Sequence, residues 1–258
     1  MALKNKKELG QNWLRDREML AAIVLEAELT PDDVVLEIGP GLGTLTSELL
    51  RQAGEVIAVE FDRDLAAKLP GQFPGKNLTV VNQDILSFDL DRLPAGYKVV
   101  ANVPYYITSK IIEKLMTACN KPSLVVILVQ KEVAERIAAK AGDMSMLSVS
   151  AQVFAETRLG AEIPREYFTP PPKVDSQVIV LETRTQRLVA SEDERAFFRV
   201  VKAGFAERRK KLRSSIAAGL AIDKLAAEEI LRHADIDPEK RAQDLTLDEW
   251  IRLARDAV

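Results

Sequence analysis

The stretch Val35-Leu36-Glu37-Ile38-Gly39-Pro40-Gly41-Leu42-Gly43 decides how this chain is read. A short β-type run enters three glycines spaced one residue apart, and Gly43 to Ala53 then carries a helical pattern. Glycines at a strand-to-helix turn let backbone amides come close to a ligand at the helix amino terminus. The spacing is G-x-G-x-G, not the G-x-G-x-x-G of dinucleotide-binding folds, and Pro40 stiffens the loop. Both features favour S-adenosyl-L-methionine, which has no pyrophosphate for a helix dipole to bind. Gly39 and Gly41 are therefore candidate cofactor contacts.

Outward from this turn, a second run, Val56 to Glu60, ends in a carboxylate 21 residues after Gly39. Glu60 is placed to accept both ribose hydroxyls, a role that nicotinamide-binding folds also use. Asp84, after the run Leu78 to Val81, can accept an adenine amino group. Either acid alone could be a helix cap. Their recurrence at successive strand ends, where open α/β sheets bind ligands, connects them. A fourth run, Val99 to Ala101, leads into Asn102-Val103-Pro104-Tyr105. The Asn102 side-chain carbonyl and the next backbone carbonyl can together accept the two hydrogens of a planar amine. Pro104 fixes φ near −65°, and Tyr105 offers a ring for stacking. In isolation the same four residues make an ordinary strand-end turn.

The remaining pattern divides near residue 184. Before it, β-rich runs alternate with helical segments as in a parallel α/β sheet; the later runs are Leu124 to Val129, Ser148 to Phe154 and Gln177 to Leu181. The expected fold is α/β, a Rossmann-like seven-stranded sheet, followed by a small all-α domain. The domains expected are 1–184, binding S-adenosylmethionine, and 185–258, helical. With 258 residues, 47% hydrophobic and 29% charged, the chain can bury a sizeable core. Its apolar runs are too short to cross a bilayer and no signal peptide is evident, so a cytoplasmic location and no membrane partner are expected. One cysteine, Cys119, and one histidine, His233, argue against an intrachain disulfide, a zinc cluster and Cys/His catalysis. Cys119 is expected to be semi-buried. Net charge is −3, so affinity for nucleic acid must come from a local patch. Arg208, Arg209, Lys210, Lys211 and Arg213 form such a patch; without a compensating polyanion they repel one another.

Four stretches together resemble the bacterial small-subunit rRNA adenine dimethyltransferase family, class I S-adenosylmethionine-dependent methyltransferases. They are Leu9-Gly10-Gln11-Asn12-Trp13-Leu14, the glycine turn, the Asn102 tetrapeptide, and Phe168-Thr169-Pro170-Pro171-Pro172-Lys173-Val174-Asp175-Ser176. The chain departs from the family pattern at Trp13 (usually phenylalanine), at Val103 (usually leucine), in the order Thr108-Ser109, and in a shortened Ala139–Leu147 stretch. The resemblance implies dimethylation of two adjacent adenosines in the 3′-terminal hairpin of small-subunit rRNA, within a pre-assembled subunit and by a monomer without metal. It adds Asn12 and Leu14 to the cofactor contacts Gly39, Gly41, Glu60, Asp84 and Asn102. Tyr105 and Phe168 become the aromatic grip on a flipped adenine, with Asn102 and Pro104 shaping the amine site and Tyr106 a weaker candidate that suits the core. Arg208 to Arg213 become rRNA phosphate contacts. A large-subunit rRNA methyltransferase of the macrolide-resistance type, an assembly factor acting by binding, and a nicotinamide-dependent oxidoreductase remain alternatives.

Overall fold

Residues 12–207 and 209–257 are described by a computed structural model of the chain. In chain order the elements are β1 (Trp13–Leu14), α1 (Arg17–Leu25), β2 (Val34–Ile38), α2 (Thr44–Leu49), β3 (Glu55–Glu60), α3 (Arg63–Gln72), β4 (Leu78–Asn82) and β5 (Lys98–Asn102). Then come α4 (Thr108–Thr117), β6 (Leu124–Gln130), α5 (Lys131–Ile137), α6 (Met146–Gln152), β7 (Ala155–Ile163), β8 (Phe168–Thr169) and β9 (Ser176–Thr183). The last four are α7 (Glu194–Phe205), α8 (Leu212–Leu220), α9 (Lys224–His233) and α10 (Leu247–Asp256).

Among the described residues, seven strands form one sheet in the order β4-β3-β2-β5-β6-β9-β7. The Val-rich strands β2, β5 and β6 are buried along most of their length, as strands covered on both faces must be. Pairing is parallel from β4 through β6, and β9 joins β6 antiparallel. From β2 the chain steps outward to β3 and β4, then returns to β5 on the other side. Crossovers therefore leave in opposite directions beside β2 and β5, the switch point where such sheets bind ligands. The glycine turn and Asn102 both lie there.

The turn is built by backbone geometry that glycine tolerates. Gly41 and Gly43 adopt φ of 58° and 80°. A methyl group on Gly43 would come within 2.7 Å of Leu69 Cδ1 and 3.1 Å of the Phe73 ring. Gly43→Ala is expected to cost roughly 1–3 kcal/mol and to lower the melting temperature by several degrees. A thermal melt within one degree of the parent would contradict this account of the turn.

The described residues pack as two compact units, one of residues 12–134 with 156–183 and one of residues 135–155 with 184–207 and 209–257. The helical unit thus takes in residues 135–155, which the sequence pattern placed with the sheet. The alternation in Ser148 to Phe154 suggests a strand, but the residues form α6. Ser145 and Ser148 exchange side-chain and backbone hydrogen bonds in a capping box, fixing a helix start. Gln152 Nε2 donates to the carbonyls of Ile137 and Ala139, both at 2.8 Å, and Arg184 Nε donates to that of Gln152. The missing sheet strand is β7, whose exposed polar residues hide its β character from composition. Within the helical unit, α7 buries Phe197, Val200 and Val201, and Phe205 stacks on Trp250 at 5.2 Å. Cys119 is exposed, not semi-buried. No helix among the described residues is long and apolar enough to cross a membrane.

Candidate active site

A cavity of about 230 Å³ opens at the switch point. Asn12, Leu14, Gly39, Gly41, Glu60 and Asp84 line it, as do Asn102, Val103, Pro104 and Tyr105. Every cofactor contact expected from sequence is therefore in one place, although these residues come from five separate stretches of chain.

Glu60 ends β3 and is 6% exposed. Its Oε2 accepts from the Gly41 amide at 3.0 Å and its Oε1 from the Asp62 amide at 2.8 Å. The carboxylate thus shapes the glycine turn and keeps lone pairs for further donors. Burial raises its pKa, opposed by these amide bonds. Asp84 holds the next loop, its Oδ1 accepting from the Leu86 amide at 2.9 Å. Thr44 Oγ1 donates to the Leu14 carbonyl at 2.8 Å, tying β1 to the start of α2. Asn102 Nδ2 donates weakly, at 3.5 Å, to the Asn12 carbonyl, which leaves Oδ1 as the acceptor end of the side chain. Pro104 has φ −59° and opens the helical turn Tyr105–Ile107. Tyr105 Oη and Ser176 Oγ are 2.7 Å apart, so the buried Ser176 at the head of β9 anchors this tyrosine.

Glu37, quoted in the glycine motif but given no role by spacing, is 1% exposed and lines the cavity. Neither carboxylate oxygen makes a hydrogen bond of proper geometry, nor does the hydroxyl of its neighbour Thr46. Burial pushes the Glu37 carboxyl up to about 8; Thr46 opposes part of this rise and the Glu60 charge adds to it. An unpaired acid at the base of a cavity suits a cationic ligand group. S-adenosylmethionine carries two cations, an ammonium and a sulfonium, that suit the unpaired Glu37 carboxylate, while Glu60 and Asp84 keep lone pairs for its hydroxyl and amine donors. Among the described residues, no group of three or more His, Cys, Asp or Glu side chains can hold a metal ion.

Residues 2–256 match the family model of the ribosomal RNA adenine dimethylases. The chain belongs to that family. It is 41% identical to ribosomal RNA small subunit methyltransferase A of Dehalococcoides mccartyi strain CBDB1, over 97% of this chain and 88% of that one. The protein of the same name from Syntrophotalea carbinolica is 43% identical, over 97% and 96% of the two chains. A dimethyladenosine transferase from Plasmodium falciparum superposes with a TM-score of 0.80 at 27% identity, covering 93% of this chain and 95% of that one. The 23S rRNA methyltransferase ErmE superposes at 0.77 with 30% identity, covering 95% and 99%. The chain is thus an rRNA adenine dimethylase-type, S-adenosylmethionine-dependent enzyme with a Rossmann-like methyltransferase sheet.

Two aromatic assignments on this dimethylase frame change. Phe168 is 2% exposed and does not line the cavity. It pairs in register with Leu14 across β1 and β8, and the two share the core cluster with Leu20, Ile163 and Val178. Tyr106, which sequence suits to the core, is 65% exposed and does line the cavity. Phe61, directly after Glu60, is 63% exposed, also lines the cavity and carries no role in the sequence reading; its signal is an aromatic following the last residue of a strand, where it can cover a flat ligand.

The basic run is also less uniform than its sequence. Arg208 lies outside the described residues. Lys211 pairs with Glu239, and Arg213 pairs with Glu228 at 3.1 Å and Glu239 at 2.8 Å. The Lys211 hydrogen bond and the nearby Arg213 charge hold the exposed Glu239 carboxyl below its ordinary range. Acids of the helical unit thus already compensate two of the five bases. Arg209 and Lys210 are exposed and make no ion pair among the described residues.

Proposed function

We propose that this chain transfers methyl groups to N6 of two adjacent adenosines in the 3′-terminal hairpin of small-subunit rRNA, two per base, and that it acts late in subunit assembly in the cytoplasm. The observation that supports this most is the meeting of Asn102-Val103-Pro104-Tyr105 with Glu60 and Asp84 in a single cavity. Glu60 and Asp84 would hold the nucleoside end of S-adenosylmethionine, Asn12 and Leu14 would lie against it, and the tetrapeptide would meet its methyl group. S-adenosylmethionine, when bound, supplies an activated methyl on a sulfonium.

An adenine amine is a poor nucleophile because its lone pair is delocalised into the ring. The Asn102 Oδ1 and the Val103 carbonyl accept its two hydrogens, which favours a pyramidal nitrogen and turns the lone pair toward the methyl carbon. Passage of the methyl from sulfur to nitrogen would leave a neutral thioether and an ammonium, which would shed one proton to water. This is catalysis by orientation and electrostatics; no strong base is needed. The base must first leave its stack, at a cost of a few kcal/mol. Tyr105, fixed by Ser176, and the exposed Tyr106 are the rings available to hold it, each stack being worth about 1–3 kcal/mol.

The test is to supply unmethylated small subunits, large subunits and labelled S-adenosylmethionine, then map the modified bases. Label at adjacent adenosines of the small-subunit hairpin is the expected result. Label confined to the large subunit would overturn the proposed target.

Arg209 and Lys210 contact rRNA phosphates in this reading. Reversing both to glutamate is expected to weaken small-subunit binding by tenfold or more at moderate salt, with S-adenosylmethionine affinity unchanged. Lys211→Glu should do less, because that lysine already serves Glu239. Equal losses in a filter-binding assay would refute the distinction.

A further inference from the structure

We propose that the indole N–H of Trp13 donates a hydrogen bond to the carboxylate of the methyl donor. The proposal rests on placing S-adenosylmethionine in the cavity described above. Strand β1 is two residues long and pairs Trp13 with Thr169 and Leu14 with Phe168. Leu14, 1% exposed, belongs to the core cluster and reaches the cavity wall from there, and the half-buried Trp13 beside it lines the cavity as well. Its ring edge rests on the glycine turn. A Cβ on Gly41 would lie 3.7 Å from both Trp13 Cδ1 and Trp13 Nε1, so a side chain there would press on the indole.

Trp13 Nε1 is shielded from solvent and has no hydrogen-bond partner. An indole nitrogen can only donate, and a buried donor without an acceptor is costly. Neighbouring donors are already used, the Gly41 amide by Glu60 and the Thr44 hydroxyl by the Leu14 carbonyl. The donor's ammonium and adenine amine are themselves donors and cannot satisfy an N–H. Its carboxylate only accepts and carries the negative charge, which strengthens such a bond. The Arg15 guanidinium, 5.9 Å from the Trp13 ring centroid, adds a positive charge beside the same indole.

The test compares Trp13→Phe with the parent chain by calorimetric titration of S-adenosylmethionine and of decarboxylated S-adenosylmethionine, which lacks only the carboxylate. Phenylalanine keeps an aromatic ring over Gly41 and removes the donor. The expected result is an affinity loss of about tenfold, or 1.4 kcal/mol, for S-adenosylmethionine and less than twofold for the decarboxylated compound. Equal losses for both would mean that Trp13 acts through shape, and no loss for either would mean that its N–H meets nothing on the ligand; each overturns the proposal alone. A parent chain that binds neither compound would overturn the cofactor placement and the proposal with it.

Discussion

Asn102→Ala is expected to abolish methyl transfer, a loss of about a thousandfold or more, the scale seen when an orienting polar group is removed from a preorganised site. Cofactor affinity should fall far less, because Glu60 and Asp84 remain. Strand β5 delivers Asn102 to the switch point, Pro104 fixes the backbone that follows, and the long bond from Nδ2 to the Asn12 carbonyl leaves Oδ1 to accept an amine hydrogen. Alanine keeps the strand end and deletes the acceptor. Near-normal incorporation of labelled methyl into small subunits, measured alongside calorimetric binding of S-adenosylmethionine, would remove Asn102 from the mechanism.

Glu37→Gln should change the pH dependence of both stability and cofactor binding. In the folded chain the Glu37 carboxyl titrates at about 8, against an ordinary value near 4.5, because it is fully buried. Between those values the folded chain holds a proton that the unfolded chain has lost. Linkage then lowers stability as pH rises through that window, by on the order of 3 kcal/mol at pH 7. A neutral glutamine escapes this penalty. The variant should melt near the parent at pH 5 and several degrees above it at pH 7.5. Identical differences at the two pH values would show that Glu37 is ionised in the free chain. Cations brought by S-adenosylmethionine favour the carboxylate, so binding to the parent near pH 7 should release a proton, seen as a binding enthalpy that varies with buffer ionisation heat. The variant should release none and bind more weakly.

These two residues differ in how sequence reveals them. Asn102 sits in a tetrapeptide whose local chemistry already offers an amine site beside the ordinary reading as a turn. Glu37 lies inside a motif read for its glycines, and a glutamate in an apolar strand gains meaning only when burial, an unpaired carboxylate and the cavity wall coincide. Tyr106 and Phe61 are similar cases, since neighbours in sequence do not tell whether a ring after a strand end turns into the core or over the cavity.

The glycine turn, the carboxylates at successive strand ends, the Asn102 tetrapeptide as a candidate amine site and the family resemblance were all legible in the linear chain. Each of these motifs is itself a short run of a few residues, where backbone periodicity and turn chemistry act, and only their order along the chain had to be added. Tertiary structure alone decided the rest. Whether Ser148 to Phe154 is strand or helix depended on a cap at Ser145 and on bonds from Gln152 to residues 13 and 15 positions away. Whether Phe168 grips a base depended on its register opposite Leu14. Whether Lys211 is free for phosphate depended on Glu239, 28 positions further along the chain. Pairing over such distances is fixed by how helices and strands pack, and a linear pattern of charge or hydrophobicity does not record which partners packing will select.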